Sequence, residues 1–132
     1  MRLTEAGPSA SIIQKYQDRP LLTPAGHKMI FRFSVFLKSV VPLQAYVSKK
    51  VQVLNAPKPF TIEEASFTDE AVHLCSVTAP ETFFGSLPES DDLLSKSVDT
   101  IRAVLKAFQV QFGDEIKQAG EEKKRAIYAV DI

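Results

Sequence analysis

The chain is poor in the residues that build disulfides and phosphate-binding loops. Among its 132 residues there is one cysteine, Cys75, and there are five scattered glycines. A single cysteine excludes an intrachain disulfide and is typical of a reducing compartment. Five scattered glycines do not form the glycine-rich loop that holds phosphate groups. The sequence therefore predicts neither a disulfide-stabilised fold nor a phosphate loop.

Net charge and long apolar runs are also absent. Sixteen basic side chains balance sixteen acidic ones, so no overall field favours a polyanion partner. No run approaches the roughly 20 apolar residues of a membrane span, and the stretch before Ser11 has no apolar core of signal-peptide length. We expect a soluble protein of the cytoplasm, and the chain length predicts one domain.

The first half of the chain carries the period-two pattern of strands. Residues 28–38 alternate, and one face collects five large apolar side chains: Met29, Phe31, Phe33, Val35 and Leu37. The turn-forming stretch 23–27 predicts a hairpin with residues 11–22. A second alternating segment covers residues 43–54. Further along, the prolines predict a loop at 55–59, residues 60–67 are undecided, and we expect a strand over 71–77 and a loop over 80–88.

Beyond residue 88 the apolar spacing changes to three and four, which is one stripe of a helix. The stripe consists of Leu94, Val98, Ile101, Leu105, Phe108 and Phe112. Ser90 and the two aspartates after it suit the start of this helix. Gly113 predicts a break or kink, and Gly120 predicts the end of the helical segment. The alternating tail from Arg125 to Ile132 predicts either a closing strand or a helix extension.

These patterns predict an α+β fold: an N-terminal hairpin and antiparallel β-meander, with a C-terminal helix or kinked helix pair on one face of the sheet. Residues 1–132 form one domain in this interpretation. It comprises a flexible arm over 1–10, an antiparallel sheet over 11–80, a helical segment over 89–120 and a tail over 125–132. One helix is narrow for so broad an apolar sheet face. We therefore expect the helix stripe to pack across a homodimer, the alternative being the sheet of its own chain.

The chemistry-bearing residues do not form a catalytic pattern. His73 and Cys75 lie two apart on the predicted strand, but a structural zinc site needs four ligands, and the only other histidine is His27. The carboxylate pairs, such as Asp91 and Asp92, suit solvated loops or a helix start. The sequence thus predicts no catalytic residue, no metal, no cofactor and no enzyme activity.

The polar face of the predicted sheet combines cations, amides, hydroxyls and aromatic rings. Such a surface could bind RNA, with charge for phosphates and rings for stacking, or could simply be solvated. The predicted RNA-binding residues are Arg32, Lys38, Tyr46, Lys50 and Gln52.

Three segments of the chain resemble the coat proteins of single-stranded RNA bacteriophages. They are YQDRPLLTPAGHKMIF at 16–31, PLQAYVSKKVQVLNAP at 42–57 and LPESDDLLSKSVDTIRAVLKAF at 87–108. The resemblance rests on pattern and order, without an invariant motif, and the last eight residues are more strand-like than the helical tail of that family. It implies two interlocked subunits with helices laid over one continuous sheet, whose other face meets the genome.

Two functions follow as hypotheses. The first is a capsid protein that forms homodimers, assembles into a shell in the host cytoplasm and is found in the virion, with single-stranded RNA as its partner and no membrane or small-molecule substrate. The second is a small cytosolic protein-binding module of the immunity-protein or inhibitor type, without catalytic activity.

Overall fold

A computed structural model describes residues 15–120 and 125–132 of the chain. In chain order the elements are β1 (His27–Ser39), β2 (Gln44–Pro59), a 3₁₀ turn (Glu64–Ser66), α1 (Glu70–His73), β3 (Val77–Thr78), α2 (Phe83–Ser86), α3 (Ser90–Gln118) and β4 (Ala126–Asp131). The predicted arm, 1–10, and the start of the predicted hairpin strand, 11–14, lie outside the described residues. None of the helices in the described ranges is long and apolar enough to cross a membrane.

The four strands form one antiparallel sheet in the order β3-β2-β1-β4. β1 is central, pairing with β2 along most of its length and with β4 over residues 32–37. The α+β class predicted from the sequence is therefore confirmed, and the tail forms a closing strand, one of its two predicted alternatives. The sheet is not confined to residues 11–80, because β4 joins it from the end of the chain.

The core lies between one face of the sheet and α3. On β1 the alternation of apolar and polar residues becomes an alternation of buried and accessible side chains, and Phe33 at its centre is fully buried. Ile101 of α3 packs into this cluster, and Leu94 and Leu105 of the predicted stripe flank it. This part of the stripe thus contacts the sheet of its own chain. Phe108 and Phe112, further along α3, remain exposed and pack against each other.

Three local predictions are wrong. β2 continues through the predicted loop at 55–59, because a register shift opposite residues 27–29 leaves Pro57 without a pairing partner, so its missing N–H breaks no ladder bond. Residues 70–73 form a helical turn instead of a strand, since the Asp69 side chain caps it by accepting from the Ala71 N–H at 3.0 Å. Within the predicted loop at 80–88, residues 83–86 form α2 and bury Phe84.

The predicted break at Gly113 is also wrong, because α3 runs without interruption to Gln118. Gly113 is buried within the helix, and a Cβ placed there would lie 3.4 Å from Cγ2 of Val41. This distance is about that of an ordinary van der Waals contact, so α3 and the turn between β1 and β2 touch at this position. At the other end of β1, the predicted turn at 23–27 is confirmed, with the Gly26 N–H donating to the Thr23 carbonyl at 2.8 Å. Within residues 15–22, the described part of the predicted hairpin strand, the pairing consists of a single bridge between Leu22 and Lys28.

Apolar residues of α3 should contribute unequally to stability, depending on whether they are buried in the core. Ile101→Ala is expected to lower the free energy of unfolding by about 2–5 kcal/mol, because it leaves a cavity among buried side chains. Val110→Ala is the control: Val110 is 86% exposed, and its truncation should change stability by less than about 0.5 kcal/mol. Urea unfolding followed by circular dichroism measures both. Equal effects of the two substitutions would contradict this account of the core.

Candidate functional site

The face of the sheet opposite α3 carries the polar side chains of β1. We call it the polar face and define it by Lys28, Ile30, Arg32, Ser34, Phe36 and Lys38, the residues that alternate with the core positions. Its members are half-buried towards the start of β1 and exposed towards its end. The polar face therefore changes from a partly covered region near Lys28 to an open one near Lys38.

An ion pair between Arg32 and Asp131 joins two strands at the middle of the polar face. The two residues are register partners on β1 and β4. Nε and Nη2 of Arg32 each donate to one carboxylate oxygen of Asp131, both at 2.7 Å. This two-pronged geometry fixes the guanidinium plane more firmly than a single contact would.

The electrostatics of this pair follow from its hydrogen bonds. The bond from Arg32 holds the pKa of the Asp131 carboxyl below its ordinary value, although partial burial of the carboxyl opposes the shift. The same bond raises the pKa of Arg32. Both groups are therefore charged at neutral pH, and the pair presents a fixed cationic group at the centre of the sheet.

Residues around the ion pair differ in character along the sheet. Gln52 of β2 lies directly across from Arg32. Towards the open end, the rings of Phe36 and Tyr46 stack with their centroids 6.3 Å apart. Towards the covered end, Nζ of Lys28 lies 5.3 Å from the centroid of the Tyr16 ring. The site thus has a polar centre between an aromatic end and a second cation.

His73 lies in an aromatic cluster near the covered end. Its Nδ1 is 2.8 Å from the Tyr16 hydroxyl and its Nε2 is 3.3 Å from Oγ of Ser66. The ring stacks on Phe67 and meets Phe60 edge-on. Both ring nitrogens are therefore engaged in protein contacts, and the histidine joins Tyr16, Phe60 and Phe67 into one cluster.

Cys75 lies apart from the histidine with which it was paired in sequence. Its thiol donates to the carbonyl of Lys28 at 3.4 Å, and burial raises the pKa of the thiol. His73 belongs to α1 and Cys75 follows that helix, so the two are not neighbours on a strand. In the described part of the chain, no three His, Cys, Asp or Glu side chains are grouped so that they could hold a metal ion.

The structure brings most of the predicted RNA-binding residues to one face. Arg32 and Lys38 of β1, and Tyr46 and Gln52 of β2, belong to the polar face or lie across from its members. Lys50 lies in the middle of β2, where the register with β1 shifts and leaves it without a β1 partner, and its Nζ is 3.9 Å from a carboxylate oxygen of Glu81. Sequence reasoning missed Asp131, the anion that orients Arg32. The alternation of the tail could have placed it on a strand, but nothing in that pattern names β1 as its neighbour.

Comparison with known proteins identifies the family. A model of the tubulin-tyrosine ligase family matches residues 3–124. The chain is 30% identical over 135 aligned residues to tubulin–tyrosine ligase-like protein 12 of Caenorhabditis elegans, an alignment that includes 98% of the chain. It spans about a fifth (19%) of the length of that relative. No solved structure matches the chain. The chain belongs to the tubulin-tyrosine ligase family.

Family membership corrects the functional predictions made from the sequence. The resemblance to phage coat proteins is wrong, and with it the capsid function, the virion location, and the partnership with single-stranded RNA and a second copy in a shell. The prediction of no enzyme activity and no small-molecule substrate is wrong as well, because this is a family of ligases. The alternative of an immunity-protein or inhibitor module finds no support. A strand-then-helix order is shared by unrelated families, so it does not identify one of them.

The Arg32–Asp131 ion pair should stabilise the folded chain at neutral pH and not at acidic pH. The lowered pKa of Asp131 means that the pair stabilises the folded chain above the unfolded pKa of aspartate, about 3.9. That stabilisation is lost as pH falls through the lower folded-state pKa. Asp131→Asn should therefore be less stable than wild type at neutral pH, and the difference should shrink as pH falls below about 3.9 and vanish once Asp131 is protonated in both the folded and the unfolded chain.

Urea unfolding at a series of pH values measures this difference. Asp114→Asn on α3 is the control, because Asp114 makes no ion pair within the described residues. It should track wild type at every pH. A deficit of Asp131→Asn that persists unchanged at acidic pH would show that the ion pair is not its cause.

Proposed function

We propose that the chain contributes the Arg32–Asp131 ion pair, at the middle of the polar face, to the active site of an ATP-dependent ligase that acts on a protein substrate. The observation that carries the proposal is the family match over residues 3–124. Because the chain spans 19% of its relative, the proposal concerns one contribution to a larger enzyme. We also propose that residues 1–132 act as one structural unit within it.

The chemistry of such a ligase calls for cationic donors held in fixed positions. An ATP-dependent ligase transfers the γ-phosphoryl group of ATP to the carboxylate, and the amine then displaces phosphate, so that amide, ADP and phosphate are formed and the carboxylate oxygen leaves in the phosphate. Both the carboxylate and the nucleotide phosphates are anions, and phosphoryl transfer is accelerated chiefly by positioning and by electrostatic stabilisation of the transferring group. A rigidly held guanidinium suits that task better than a mobile ammonium group.

Arg32 has the capacity to bind an anion while its ion pair is intact. A guanidinium has five N–H donors, and Asp131 accepts from Nε and Nη2 only. Donors therefore remain for a phosphate or carboxylate on the solvent side, and the arginine side chain is 38% exposed. In this proposal Arg32 contacts the anion and Asp131 is a positioning residue that holds the fork in plane.

The substrates are proposed from the names of the relatives. The family is that of tubulin-tyrosine ligases, and the relative is a protein of that kind. We infer that the enzyme containing this chain links an amino acid, tyrosine in the first instance, to tubulin at the expense of ATP. The aromatic end of the polar face, where Phe36 and Tyr46 stack, offers an apolar surface beside the proposed anion site.

Ligase activity of the full-length protein tests the proposal. Purified protein is incubated with tubulin, ATP and labelled tyrosine, and label in tubulin is measured with and without ATP. Arg32→Ala should lower kcat/KM by roughly 100-fold or more, since it removes a preorganised donor from a charged site. Arg32→Lys should recover only part of the loss, because an ammonium lacks the fork.

Lys38→Ala is the matched control. Lys38 is an exposed cation on the same strand and the same face, but it lies away from the ion pair. Its removal should leave kcat/KM within about twofold of wild type, as expected for a surface charge outside the site. An active wild-type enzyme whose activity is unchanged by Arg32→Ala would remove Arg32 from the site, and no ATP-dependent incorporation by wild type would contradict the ligase proposal.

A further inference from the structure

A groove runs between α3 and the first half of β2. Neither Arg32 nor Asp131 lines it, whereas Tyr46 of the aromatic end does. The volume of the groove is about 560 Å³. We call it the basic groove. Its apolar lining comes from both layers: Ala45 and Val47 of β2, and Leu94, Val98 and Leu105 of α3. These side chains are only partly buried by the chain itself, so the floor of the groove is apolar and accessible.

Cations stand on both sides of this floor. Lys49 rises from β2, and Arg102 and Lys106 rise from successive turns of α3. All three are exposed. Asp99 on the same helix pairs with Arg102, whereas Lys49 and Lys106 make no ion pair within the described residues. None of the described residues that line the groove is acidic.

The groove on the other side of α3 has a different character. It lies between α3 and β4, has a volume of about 440 Å³, and is lined by apolar residues such as Val104 and Phe108 without a lysine or arginine. Both grooves therefore have accessible apolar linings, but of the two only the basic groove has lysine and arginine along its sides, as a cationic rim. The rim is the feature that specifies a partner of defined charge.

We propose that the basic groove binds an acidic amphipathic helix of a partner protein. The helix would lie beside α3, with its apolar side on the floor and its carboxylates against Lys49, Arg102 and Lys106. The floor extends from Leu94 to Leu105, about three helical turns or roughly 17 Å, which accepts a helix of similar length. A helix laid in an apolar groove with charged flanks is a recurrent mode of recognition. This inference does not depend on the ligase activity.

A designed peptide tests the groove directly. The probe is a fluorescently labelled helix of about four turns, with leucines at spacings of three and four and glutamates on the flanks. One matched peptide replaces the leucines with serine and keeps the charge, and another places proline at its centre. Binding to the full chain is followed by fluorescence anisotropy. The probe should bind at least about tenfold more tightly than either matched peptide, since both an apolar side and a helix are required.

Charge reversal identifies the binding surface. The double variant Lys49→Glu with Lys106→Glu should bind the probe at least about tenfold more weakly, because attraction at the rim becomes repulsion. The matched control is Lys15→Glu with Lys38→Glu, which changes the net charge equally at two exposed lysines outside the groove. The control should bind as wild type does. Circular dichroism establishes that each variant is folded.

A charge-swapped peptide completes the experiment. A version of the probe with lysines in place of its glutamates should bind the Lys49→Glu, Lys106→Glu variant better than it binds wild type. That rescue would show that the variant retains the groove. Three results would each overturn the proposal: no binding of the probe to wild type, equal binding of the serine or proline peptide, or equal loss of binding in the groove variant and its control.

Discussion

The apolar face of β1 packs beneath α3, and the other described elements are arranged around that contact. Phe33, at the middle of β1, is fully buried, and Ile101 of α3 lies against the same cluster. Burying such side chains contributes about 1.5–3 kcal/mol each to stability. A few residues on β1 and α3 therefore determine how the helix packs on the sheet. β2 and β4 then pair with the two edges of β1, which makes this strand the reference for both neighbours.

When one face of a strand is buried in the core, the side chains on its other face point away from the core. In β1 the residues that alternate with the core include Arg32, and its register partner on β4 is Asp131. The polar face is thus a geometrical consequence of the packed one: a shift of pairing by one residue would move Arg32 into the core and Phe33 out of it. The energy that fixes the register of the sheet therefore also fixes the position of the proposed ligase residue.

The sequence predicted the parts of the fold that depend on long periodic segments. β1, most of β2 and the long helix follow from alternation and from spacings of three and four, because each pattern persists over many residues. The short elements were missed where a local contact overrides the pattern. Asp69 caps a helical turn, a register shift accommodates Pro57, and Gly113 lies within the continuous helix, close to Val41. None of these contacts can be read from spacing alone.

The sequence predicted one of the two residues of the ion pair at the candidate site. The alternation of β1 places Arg32 on the polar face, but the anion that orients it comes from the end of the chain, 99 residues away in sequence. Sequence periodicity does not say which strands are neighbours, so Asp131 remained an unremarked tail residue. The same limitation explains the error about the family: the order of strands and helix is compatible with many proteins, whereas the chemistry resides in pairs of residues that only the sheet topology brings together. β4 therefore has two roles that cannot be separated, since the strand that closes the sheet also supplies the carboxylate that holds Arg32 in place.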